Sequence, residues 1–144
     1  RNLFVHAGLS ARLLERNLEM DTLNARMSEG LYRTSKERRE DPTLEFLYRS
    51  AGPVWYRGMV CTDEKYDPLT PEQTDALLRR YDADRLLIGH TIFPDISTFH
   101  DGRVIAVNVQ NERNRRKNRG RAVLIEGSRI SVVGNRGVKR VLEE

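Results

Sequence analysis

Two of the three histidines in this chain stand in matching contexts. His6 follows Leu3-Phe4-Val5 and precedes Ala7-Gly8, and His90 follows Leu86-Leu87-Ile88-Gly89 and precedes Thr91. A short run of branched apolar residues reads as a buried strand, so each imidazole stands where the chain leaves a sheet. The carboxyl ends of such strands are where α/β proteins place their sites. Imidazole suits zinc-, iron- or manganese-type chemistry, and small neighbours let backbone and metal approach closely. Taken singly, either histidine fits a structural position as well; the matched pair is what opens a metal-binding reading. His100 differs, because it stands beside Asp101-Gly102 and is expected to be an exposed turn residue. Cys61 is the only cysteine, which excludes an intrachain disulfide and a cysteine-based zinc site.

The elements that must position these residues follow from periodicity. Leu3 to Val5 is a short strand. From Ser10 to about Ser35 the pattern turns helical, with Leu13, Leu14 and Leu18 on one face. Leu23, Met27 and Leu31 then repeat every four residues after a cap at Asp21. The charged stretch from Lys36 to Pro42 reads as a loop or frayed helix end, and Leu44, Phe46 and Leu47 form a second apolar patch. Gly52-Pro53 punctuates the chain before Val54-Trp55-Tyr56-Arg57-Gly58. Thr70-Pro71-Glu72-Gln73 joins a threonine N-cap, a proline at the first helical position and a glutamine at the third. That capping box predicts a helix to about Tyr81 with Leu77, Leu78 and Tyr81 inward. Arg85 to Ile88 is a strand. Asp101-Gly102 has hairpin-turn composition, with Arg103 to Val109 returning, and Ala122 to Glu126 pairs with Arg129 to Val133 across Gly127-Ser128. Strand, helices, then strands imply an α/β domain, a mixed sheet with flanking helices.

The 144 residues allow one domain, 1–144, with a real core. With 32% charged and 38% hydrophobic residues the chain reads as globular, and its apolar runs are too short for a transmembrane helix or signal peptide. No membrane partner is expected. The chain opens at Arg1 and runs at once into an apolar strand, so the sequence is expected to start inside a larger protein. The net charge of +4 is uneven: Arg113, Arg115, Arg116, Lys117, Arg119 and Arg121 fall within nine residues. This cluster reads as a mobile loop between strands that could attract anionic substrates.

Phe4-Val5-His6-Ala7-Gly8-Leu9-Ser10 resembles the HGG-type block of the calcineurin-like metallophosphoesterases, with alanine for the first glycine. Leu87-Ile88-Gly89-His90-Thr91 resembles their later GHT block, and Arg103 to Asn108 the strand that follows it. Order and spacing are most similar to the bacterial, Shewanella-like type of the phosphoprotein-phosphatase branch. The resemblance implies the C-terminal half of that family's αββα sandwich. It also implies hydrolysis of phosphate monoesters, on a phosphorylated protein or a small phosphate ester, by a two-metal site. In it His6 and His90 would bind one of two divalent ions (Mn, Fe or Zn). Arg57 becomes the candidate to hold the substrate phosphate, since a guanidinium fork matches two phosphate oxygens; the alternative is a salt bridge beneath Trp55 and Tyr56. Those two aromatics are expected to be packing or pocket wall.

The family's Asp-x-His, GDxxDRG and GNHE blocks are absent; the one Gly-Asn pair, Gly134-Asn135, is followed by Arg136. The resemblance therefore implies a chain inactive alone, with a missing N-terminal half as partner. Two rival readings stand beside it. One is a non-catalytic domain of the same fold. The other is a basic nucleic-acid-binding module around Arg113 to Arg121, disfavoured because no aromatic platform or helix-turn-helix accompanies the cluster.

Overall fold

A computed structural model describes residues 1–143. Strands β1 (Asn2–Val5), β2 (Arg85–Ile88), β3 (Ser97–Phe99) and β4 (Val104–Ala106) form one sheet in the order β1-β2-β4-β3. β1, β2 and β4 run parallel, and β3 returns antiparallel on β4. Strands β5 (Arg121–Glu126), β6 (Arg129–Gly134) and β7 (Gly137–Glu143) form a separate antiparallel sheet.

Side chains alternate across a strand, and here the two faces have different covers. Leu86, Ile88, Val104 and Ala106 pack with Leu13, Leu23, Phe46, Leu47, Leu77 and Leu78 from the helices. Leu87 and Ile105 point the other way, onto Ile130 and Val132 of the second sheet. The order of layers is helices, mixed sheet, antiparallel sheet. In β1 the same alternation sends Leu3 and Val5 to the helices, while Phe4 on the opposite face is 67% exposed.

The helices are α1 (Arg12–Arg16), α2 (Met20–Leu31), α3 (Ser35–Glu40), α4 (Pro42–Tyr48), α5 (Pro71–Arg80) and α6 (Asn111–Arg116). The Thr70 capping box and Pro71 start α5 as expected: Thr70 Oγ1 accepts from the Gln73 N–H at 3.2 Å, and Gln73 Oε1 accepts from the Thr70 N–H at 2.9 Å. Elsewhere the helices depart from the sequence expectation. Asn17 at φ 48 breaks the first segment in two, and α2 starts at Met20 behind Glu19, with Asp21 inside its first turn. Leu31 is exposed, so the apolar repeat of α2 ends at Met27. The charged stretch expected as a loop is helical because Thr34 and Glu37 form a second capping box, and Asp41 caps α4 through the Thr43 and Leu44 N–H groups.

The fold is mixed α/β, with a sheet that is largely parallel. The half of a metallophosphoesterase αββα sandwich is corrected: the helices that pack on the mixed sheet cover one face of it, and the other face is covered by the β5–β7 meander. Among the described residues no helix is long and apolar enough to cross a membrane.

Candidate active site

Because β1, β2 and β4 are parallel, their carboxyl ends share one edge, and each delivers a polar residue there. His6 directly follows β1, Gly89-His90 follows β2, and Asn108 lies two residues beyond β4. The Gly89 N–H donates to the His6 carbonyl at 2.9 Å, and a Cβ at Gly89 would stand 3.2 Å from that oxygen. The absence of a side chain there lets the two strand ends close. The Ala7 N–H donates to the Pro53 carbonyl at 2.9 Å, which ties the His6 turn to the Gly52-Pro53 loop. At Gly52 a Cβ would lie 2.1 Å from the Leu47 carbonyl, so only glycine fits the turn that carries Trp55 and Arg57.

The outcome is a pair of imidazoles. His6 Nε2 and His90 Nδ1 are 3.2 Å apart, and the rings tilt at 60° with centroids 5.1 Å apart. One of these nitrogens carries the proton and the other accepts it. His90 sits at φ 58, and the Thr91 N–H reaches back to the Gly89 carbonyl at 2.6 Å, closing a three-residue γ-turn around it. Such a turn is strained for a residue with a side chain. Its Nε2 is buried with no hydrogen-bond partner. Burial, then the positive charge of Arg57, then His6 hold the His90 pKa below the ordinary histidine value, so the ring is neutral at neutral pH.

Trp55 meets the His90 ring edge-on, with centroids 5.3 Å apart and planes at 89°, and is itself 53% exposed. Arg57 Nη1 donates to Thr91 Oγ1 at 3.4 Å, and among the described residues its guanidinium forms no ion pair. The salt bridge considered for it beneath Trp55 and Tyr56 is therefore not formed. Tyr56 is buried and donates its hydroxyl to the Asp67 carbonyl, a packing role, and burial pushes its phenol pKa up.

The two-metal centre is corrected on the same geometry. A protein-bound metal ion takes three or more donors that converge. Among the described residues no group of three or more histidine, cysteine, aspartate or glutamate side chains is placed to hold one. His6 and His90 converge on each other alone, and Mn, Fe or Zn ions form no part of the reading of this chain. His100 also departs from expectation. It is half-buried, with Nδ1 3.2 Å from Thr74 Oγ1 and Nε2 3.0 Å from the Met59 carbonyl. Of the cationic stretch expected as a loop, Arg113, Arg115 and Arg116 lie in α6, and Arg121 opens β5, where it bonds Asp95 at 3.0 Å.

No family model matches the chain, and no curated protein matches it. Solved structures do. One, a cold-active protein tyrosine phosphatase, is 25% identical with a TM-score of 0.84 over 97% of this chain. A second, of the cold-active protein-tyrosine phosphatase of a psychrophilic Shewanella species, is 26% identical with a TM-score of 0.85 over 98%. This chain spans 39–40% of the length of those chains. Its structural neighbours are thus phosphatases, described as tyrosine phosphatases, and they replace the calcineurin-like metallophosphoesterase assignment. The inactive fragment completed by a missing N-terminal half rested on that family's metal ligands and is withdrawn with it.

Proposed function

We propose that this chain carries phosphate-handling residues of a phosphate-monoester hydrolase whose substrates are proteins phosphorylated on tyrosine. The observation that carries the reading is the neutral, strained His90 against His6, with the uncompensated Arg57 beside them. Its structural neighbours are tyrosine phosphatases, and the substrate class follows from that likeness.

Arg57 supplies a fork for two oxygens of the bound phosphate. Hydrolysis then forms a bond from a water oxygen to phosphorus and breaks the bond to the ester oxygen. One proton leaves the water and one joins the departing aryloxide. The exposed His6 ring can take the first and return it as the second, and the 3.2 Å contact to His90 Nδ1 stabilises the imidazolium formed in between. The lowered pKa of His90 keeps its Nδ1 an acceptor for the His6 N–H.

The test is turnover of an aryl phosphate by the full natural protein and by its His6→Ala, His90→Ala and Arg57→Ala forms. Loss of one general acid–base group lowers kcat by about 10²–10⁴-fold. Arg57→Ala is expected to raise KM, with Arg57→Lys recovering only part of it. Wild-type turnover in both histidine variants would sink the proposal.

A further inference from the structure

Next to the histidine pair lies a second feature that the proton chemistry does not use. A cleft of about 730 Å3 opens on the far side of Trp55 and Arg57, bounded also by Arg12, Arg49, Lys65 and Tyr66. Its walls combine aromatic faces with a concentration of positive charge. Arg12, Arg49 and Lys65 are exposed at its rim, against one lining carboxylate, that of Asp67. Arg12 has no carboxylate partner among the described residues. Arg49 reaches Glu45 only at 3.4 Å. Lys65 is paired with Asp63 at 2.9 Å and lies 4.8 Å from the Tyr66 ring centre. The three cations come from α1, the end of α4 and the segment after Cys61, so the fold, not one charged run, brings them to one opening.

Like charges held around a low-dielectric wall raise the local concentration of anions and favour a ligand that neutralises several at once. A lone phosphate bound at Arg57 would leave Arg12 without an anionic partner, and Arg49 and Lys65 with only their exposed local carboxylates, Glu45 and Asp63. An extended acidic peptide satisfies them: with its phosphorylated side chain at Arg57 and the histidines, flanking carboxylates reach the rim, and an aromatic ring lies along Trp55 and Tyr66.

We propose that this cleft is the recognition site for acidic residues flanking the phosphorylated side chain, so that the preferred substrate is an acidic phosphopeptide. The inference rests on the reading above, and its test separates the two. Trp55 is the only tryptophan of the chain and lines the cleft, so its emission reports binding without turnover. The first arm titrates the protein with a dephosphorylated tyrosine peptide flanked by glutamates and with its glutamine-flanked counterpart. The expected result is a saturable change in emission for the acidic peptide, at least tenfold tighter than for the neutral one and weakened by salt. Arg12→Glu and Arg49→Glu should each weaken it about tenfold. The second arm compares kcat/KM for the phosphorylated forms and for an aryl phosphate, with charge reversal lowering only the acidic peptide's value. Equal binding of both peptides, indifference to charge reversal, or tighter binding of a single-stranded oligonucleotide overturns the cleft assignment. Binding as expected with no turnover of any phosphate ester overturns the hydrolase reading and leaves a peptide-binding cleft.

Discussion

His90 and His100 both leave a strand in the left-handed conformation, at φ 58 and φ 51, and there the likeness ends. Around His100 each ring nitrogen has a neighbour: Nδ1 the Thr74 hydroxyl, Nε2 the Met59 carbonyl. It joins α5 to the segment after Arg57 and works as a cross-brace. His90 is held in a γ-turn and touches one polar partner, His6, while its Nε2 is buried and unpartnered. A buried polar atom without a partner costs about 1–3 kcal/mol, and that cost falls on His90, whereas the positive φ is common to both. Two histidines of similar backbone geometry therefore mark opposite uses, one contributing stability and the other consuming it. The difference is invisible in residue type and resides in what stands within 3.2 Å.

The sharpest way to break this comparison is to truncate both. His90→Ala is expected to lower turnover by about 10²-fold or more with little change in Tm. His100→Ala should keep turnover within a few-fold and destabilise the fold by about 2 kcal/mol, because the Met59 carbonyl and Thr74 hydroxyl lose a partner. Thermal melts and aryl-phosphate kinetics on the same preparations check the crossing; equal stability losses would erase the distinction. A smaller effect sharpens it: Thr74→Val should cost about 1 kcal/mol in the wild type and far less in a His100→Ala background. The smallest effect concerns protons. The folded pKa of His90 is depressed, so on acidification the unfolded chain takes up this proton first, near pH 6.5. Stability from His90 is thus present above about pH 6.5 and is lost as pH falls toward the lower folded value. The Tm of a His90→Asn variant should fall less between pH 7.5 and 5 than that of the wild type.

Much of this was legible in the sequence where one physical signal dominates. Leu86-Leu87-Ile88-Gly89 marks a strand and its end, Thr70-Pro71-Glu72-Gln73 a helix start, and Gly127-Ser128 a hairpin. The matched strand ends placed His6 and His90 at one edge of the sheet, whereas Arg57 was singled out only through the family resemblance, and its role stays a proposal. Composition misled where charge concealed structure. Ser35 to Glu40 is helical through the same kind of capping box as the one at Thr70, and α6 overlaps the start of the cationic run. β7 was missed because Lys139 and Arg140 interrupt the alternation of Val138 and Val141. The partners of His100 lie 26 and 41 residues away, and the lack of a hydrogen-bond partner at the buried His90 Nε2 is a tertiary fact with no sequence trace. The family assignment failed differently. Short blocks around the histidines were read through a metal-ligand pattern, whereas the described residues bring two imidazoles together without further ligands.

The two sheets also differ in how far along the chain their partners lie. β5, β6 and β7 are joined by turns of two residues, whereas β1 reaches β2 only across the whole helical segment, and His6 meets His90 over 84 residues. Closing a longer loop costs more entropy, and non-local pairing is slow. The meander is therefore expected to form early and the β1–β2 pairing late. His6, Arg57 and His90 are synthesised before the meander, yet the imidazole pair exists only once the longest closure is complete. Appearance of the site is thus a clock for the final step of folding.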